Sequence, residues 1–277
     1  MPNYSHPDSL VDTQWLTEHL NDPSVCIVEV DMSPEACQNA HIPGAVFWNI
    51  FSDLMQPDMS MNLDSEAISE LLSKSGITPE TTIVPYGSNP AAGASIFWLL
   101  KCFGHDSVCV LDGGHQKWVA EGRPLSSELS SFEPVEYIAH PSSERDYRIL
   151  SPEVKDALDR SDAVILDVRT LAEYNGEVFM EKPPEDNQRA GHIPGAIHIE
   201  HTLVLNEDGT FKSPEELHNL YAERGITKDK KVIPYCAVGG RSGFIWFVLK
   251  HLLGYPNVQN YDGSWNEWSR LPNAPIE

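Results

Sequence analysis

The stretch "GITKDKKVIPYCA", Gly225 to Ala237, has a close counterpart earlier in the chain, "GITPETTIVPYGS", Gly76 to Ser88. Each leaves a glycine turn, enters a short β-branched run and ends on Pro-Tyr, the pattern of a buried strand reached from a helix. Two more blocks recur in the same order: "AHIPGAVFWNI" (Ala40 to Ile50) as "GHIPGAIHIEH" (Gly191 to His201), and "DGGHQKW" (Asp112 to Trp118) as "DGSWNEW" (Asp262 to Trp268). All three pairs share a spacing of about 150 residues, so the chain is read as two copies of one domain. The expected division is an N-terminal domain over 1–125, a packed linker rich in Ser, Pro and Glu over 126–145, and a C-terminal domain over 146–277.

Within each copy, short apolar runs alternate with helical stretches. Val25 to Val30, Thr82 to Pro85, Val108 to Leu111, Ala163 to Val168, Val232 to Tyr235 and Val258 to Tyr261 read as strands. Ser65 to Ser73 and Pro214 to Arg224 read as helices, the latter capped by Ser213. This alternation predicts an α/β fold in which each copy is a parallel sheet with helices on both faces. Pro85 and Pro234 would each remove a ladder hydrogen bond and are expected to mark strand ends.

The 277 residues carry 41 acidic and 19 basic side chains, a formal charge of -22, and 41% are apolar. That charge argues against nucleic acid or an anionic membrane as partner, so an anionic substrate must be attracted locally. The N-terminal residues show no secretory pattern, no apolar run is long enough to span a bilayer, and the protein is expected to be cytoplasmic. The five cysteines (Cys26, Cys37, Cys102, Cys109, Cys236) include no C-x-x-C pair, which suits free thiols better than disulfides or zinc.

Of these thiols, Cys236 stands apart. It ends a strand and is followed by Ala237, Val238, Gly239, Gly240 and Arg241, and then by Ser242 to Leu253, apolar nearly all round and closed by Gly254. The two glycines let the loop curl so that backbone N–H groups form a nest for an anion at a helix N-terminus. A free thiol is mostly protonated at neutral pH; a favourable helix end of up to about 2 kcal/mol shifts that balance toward the thiolate.

With these motifs in hand the sequence resembles the rhodanese family, specifically its tandem-domain sulfurtransferases, through the paired "HIPGA" blocks, "DVRTLAEYNG" (Asp167 to Gly176), the C-x4-R loop from Cys236 to Arg241 and "YDGSWNEW" (Tyr261 to Trp268). The resemblance implies a cysteine that takes a sulfane sulfur, holds it as a persulfide and passes it on. Carried over, Cys236 is the nucleophile, Ala237, Val238, Gly239 and Gly240 form the cradle, and Arg241 neutralises a donor anion or the persulfide. It implies thiosulfate as donor, cyanide or a thiol as acceptor, a thioredoxin-like or other sulfur-accepting protein as a further partner, and no cofactor or metal.

The repeat sharpens this. Gly87 is aligned with Cys236 and Ala92 with Arg241, so the first copy has lost both groups and reads as a non-catalytic twin that walls and stabilises the second. Cysteine phosphatases resemble C-x5-R with a longer loop, so phosphate chemistry is disfavoured; a regulatory module without catalysis is the third class. Mercaptopyruvate-using relatives carry an arginine before the aromatic in "D-x-R-x-x-x-R-[YF]", where Glu173 precedes Tyr174 here. An acid where a carboxylate should bind favours thiosulfate over 3-mercaptopyruvate. Asp167 and Arg169 are expected as a structural ion pair, His41 and His192 as structural, His198 and His201 as no metal site, and Trp118, Trp265 and Trp268 as core. The insertion over 177–191, absent from the first copy, is expected as a solvated loop that could reach the pocket.

Overall fold

The computed structural model describes residues 3–34, 40–128, 130–141, 147–180, 182–185 and 188–277. Cys37, the linker positions 129 and 142–145, and positions 181, 186 and 187 of the insertion lie outside the described residues. The first half runs β1 (Leu10–Val11), α1 (Thr13–Glu18), β2 (Val25–Asp31), β3 (Val46–Asn49), α2 (Ile50–Asp53), α3 (Ser65–Lys74), β4 (Thr82–Tyr86), α4 (Ala91–Cys102), β5 (Val110–Leu111) and α5 (Gly114–Ala120). The second runs α6 (Ser151–Ala157), β6 (Ala163–Asp167), α7 (Leu171–Tyr174), β7 (Ile197–His198), α8 (Pro214–Ala222), β8 (Lys231–Tyr235), α9 (Gly240–Phe247) and α10 (Ser264–Trp268).

All strand pairs are parallel. The orders are β3–β2–β4 and β7–β6–β8, with a separate β1–β5 pair that a bridge from Ile83 to Val108 joins to β4. Alternate strand residues feed opposite faces: Val28 and Val30 pack with α3 and α4, whereas Ile27 and Val84 pack with Leu16 of α1 and Trp118 of α5. Helices therefore cover both faces, as the alternation predicts.

Three local expectations change. Val258 to Tyr261 is not a continuous strand; an isolated bridge from Val258 to Val232 joins it to β8, and another pairs Asn260 with Arg148. The prolines explain why. Pro234 lies inside β8, and the N–H it lacks belongs to the side where Val232 bonds Asn257 and Gln259, so the loss falls on that edge and spares the β6 ladder. The helix after the cysteine begins at Gly240, and its last turn is a π-turn over Val248–Leu252 before Gly254 at φ 69°.

The apolar helices α4 and α9 pack against each other across the domain boundary, with Phe97 and Phe247 ring centroids 4.8 Å apart in edge-to-face contact. This is why both helices are apolar all round: each covers its own sheet and its twin. Buried residues of both halves consequently share one large cluster, with a smaller separate cluster under the outer face of each half. Within the linker, Val135 and Tyr137 bond Ser73 and Ala139 bonds the Ser69 hydroxyl, laying that segment along α3. Among the described residues no helix is long and apolar enough to cross a membrane.

Candidate active site

Cys236 follows β8 directly and is fully buried at 0% exposure. The Gly239 amide donates to its Sγ at 3.1 Å, and the hydroxyls of Ser242 and Ser264 lie 3.6 and 3.9 Å from the sulfur. Gly239 takes φ 97°, and a Cβ there would stand 2.6 Å from the Asp262 carbonyl and 3.0 Å from Met61 Cγ, so only glycine fits without moving the loop. Ala237 is buried and its carbonyl accepts from the Asn266 amide, as the Cys236 carbonyl accepts from Trp265. Val238 is half-buried, and Gly240 opens α9.

The network behind the loop explains the repeated motifs. Tyr235 donates from its hydroxyl to Asp167 and accepts from the Ile193 amide of the "HIPGA" block. Tyr86 does the same with Glu29 and Ile42 in the first half. Asp167 is paired with Arg169 at 2.6 Å, both fully buried, and Arg169 also donates to the Gly191 carbonyl and lies over the Trp265 ring. His198 and His201 are bound separately, to the Arg169 and Val168 carbonyls; His192 stacks on Tyr174, and His41 binds the Glu128 carbonyl. Trp118 and Trp268 are core residues that donate to the Pro124 and Pro275 carbonyls. From the insertion, Arg189 donates to the Leu271 and Ala274 carbonyls, anchoring it on the C-terminal tail.

Arg241 differs most from expectation. Both of its terminal nitrogens donate to Glu173, each at 2.8 Å, in a two-pronged ion pair. Glu173 Oε2 also accepts from the amide and hydroxyl of Thr170, the cap of α7, at 3.0 Å each. Burial alone would push the Glu173 carboxyl up, yet the Arg241 bonds and charge, with the Thr170 donors, hold it at about 2. Glu173 is thus no bare charge awaiting a substrate carboxylate; it acts on whatever binds by neutralising Arg241. His201, beside them, is lowered to about 4 by burial and by the Arg241 charge, so it stays neutral at physiological pH.

The twin site is closed. A Cβ on Gly87 would stand 2.4 Å from the Val30 carbonyl and 2.8 Å from Ala92 Cβ, leaving no room for a thiol. Its half instead supplies a wall: the turn around Asp58 accepts from Asn266 and Arg270, and Met61 rests on Gly239. A matching turn of the second half binds back, with Gln116 and Lys117 reaching Glu207 and Asp208.

The rhodanese-like domain profile matches the chain twice, over residues 12–121 and 151–271. The chain belongs to the rhodanese family. It is 44% identical to "Sulfur carrier protein TtuD" of Thermus thermophilus over 99% of this chain and 98% of that one. It is 42% identical to the Mycobacterium tuberculosis protein named "Putative thiosulfate sulfurtransferase", over 98% of each. Among solved structures, EanB in a cysteine-persulfide form with ergothioneine superposes with a TM-score of 0.88 at 28% identity, covering all of this chain and 72% of the other. The anaerobic ergothioneine biosynthesis enzyme from Chlorobium limicola superposes at 0.87, also 28% identical, with the same coverage. In this rhodanese, sequence reasoning missed Ser242, Ser264 and Met61. A signal for Ser264 was present: it replaces Gly114 of the twin, and at this shared left-handed turn, φ 52° against 51°, a serine is strained where glycine is not.

Proposed function

We propose that this protein is a thiosulfate sulfurtransferase, residues 146–277 being the catalytic domain and 1–125 a non-catalytic twin. The Cys236 thiolate attacks the outer sulfur of thiosulfate, the S–S bond breaks, and sulfite leaves with the electron pair, giving a Cys236 persulfide. A thiol, small or on a thioredoxin-like protein, or cyanide then attacks the terminal sulfur and regenerates the thiolate. The observation carrying this reading is the buried sulfur that accepts from the Gly239 amide at a helix N-terminus, an arrangement that can stabilise an anionic persulfide, with the Ser242 and Ser264 hydroxyls nearby but donating at shorter range to the Gly239 and Tyr261 carbonyls. Ala237, Val238, Gly239 and Gly240 shape the cradle, and Arg241 keeps N–H groups for the donor beyond those given to Glu173. The absence of the second arginine before Tyr174 favours thiosulfate over 3-mercaptopyruvate.

Incubation with thiosulfate should leave the intact protein one sulfur atom heavier by mass spectrometry, and cyanide should reverse the gain. Cys236→Ser gaining the same mass would overturn the assignment. The Thermus relative's name supports a second reading, a carrier without turnover of its own; a single loading with no multiple turnover toward small acceptors would select it.

A further inference from the structure

The Glu173–Arg241 pair bears on which donors suit the site. It is anchored at one end and open at the other: the Glu173 side chain is 4% exposed and that of Arg241 is 23%. Two of the five guanidinium N–H groups are committed to the carboxylate, leaving three for a ligand. Its shape remains available while its charge is already compensated. The ionisable groups at or beside the sulfur's loop include Cys236, Arg241, Glu173 and His201, with two balanced pairs, Asp167–Arg169 and Arg148–Asp262. His201 is buried against Phe244 and bound to the Val168 carbonyl. With sulfur anionic, as thiolate or persulfide, the cluster is net negative.

We propose that Glu173 is a specificity-determining residue. By neutralising Arg241 it holds thiosulfate less tightly than an unpaired arginine would, and it widens the site's donor range from thiosulfate to organic persulfides whose reacting end is uncharged. This rests on the reading of Cys236 as the sulfur-accepting residue. The chemistry balances with either donor: the thiolate takes the outer sulfur of R–S–SH, the S–S bond breaks, and the leaving thiolate recovers a proton as R–SH.

The test compares single-turnover loading of wild type and Glu173→Gln, followed by intact mass, with thiosulfate and with an alkyl hydropersulfide. Glu173→Gln keeps the side-chain length and an oxygen acceptor for Thr170 while removing the charge. Loading by thiosulfate should accelerate on the order of tenfold, the effect of one carboxylate within several ångströms at protein-surface dielectric, while loading by the alkyl hydropersulfide should change less than about twofold. Added salt should speed thiosulfate loading more in wild type than in Glu173→Gln, because screening relieves a repulsion the variant lacks. Thr170→Val, which loosens the same turn without altering charge, separates electrostatics from mobility: equal acceleration in Thr170→Val would overturn the proposal, as would an unchanged thiosulfate rate in a folded Glu173→Gln. Failure of both proteins to load from either donor would instead refute the role of Cys236.

Discussion

Arg241→Ala should cost stability before it costs chemistry, and the size of the loss follows from its partner. Removing the guanidinium leaves Glu173 buried with only the Thr170 amide and hydroxyl as donors. The native arrangement lowers the Glu173 carboxyl from 4.5 to about 2. At about 1.4 kcal/mol per pKa unit, that difference is worth about 3 kcal/mol, the low end of the range for breaking a buried ion pair. A folded pKa below the unfolded one contributes stability that is complete above pH 4.5 and lost as pH falls toward 2. The gap between wild type and Arg241→Ala should therefore be widest at high pH and close as pH falls, first as the unpaired buried Glu173 of the variant protonates above the usual carboxylate range and then as wild type loses its own pairing toward pH 2. Urea unfolding at pH 7 of wild type, Arg241→Ala, Glu173→Gln and the double variant measures it. Arg241→Ala should lose about 3 kcal/mol, and the double variant should recover part of this because the stranded charge is gone. A loss under about 1 kcal/mol, the value of an exposed pair, or a double variant no more stable than Arg241→Ala, would refute the reasoning. In folded Arg241→Ala, loading from thiosulfate should slow about 10-fold or more, one lost charge-assisted contact, while unloading to a neutral thiol slows less.

Two further substitutions test the sulfur's cradle. Gly239→Ala places a Cβ 2.6 Å from the Asp262 carbonyl at φ 97°, so the amide that bonds the sulfur must shift; melting should fall by several degrees, and iodoacetamide should alkylate Cys236 at a clearly different rate at fixed pH. Ser264→Gly, the twin's own residue at this turn, should relieve backbone strain and melt close to wild type yet load sulfur more slowly, whereas Ser264→Ala should lose both stability and rate; equal loading by all three proteins would remove Ser264 from the site.

The sequence by itself determined the duplication, the parallel α/β alternation and the position of the glycine-rich loop after Cys236, because these rest on local signals: strand runs ended by Pro-Tyr, a cysteine before two glycines, and a second copy to compare with. It also marked the first copy as lacking the thiol, though only the close approach of Gly87 to the Val30 carbonyl turned a missing residue into a closed site. What it could not decide were pairings between distant segments. Glu173 and Arg241 are far apart in the chain, and their charges read separately as a repelling acid and a free cation; side by side at 2.8 Å they are one neutral pair. Met61 reaches the loop after Cys236 from the other half, and the all-round apolar character of α4 and α9 identified burial without naming the partner. Periodicity reports that a face must be covered, but which face covers it depends on how the two halves pack, and that is settled by the summed contacts of the cluster they share.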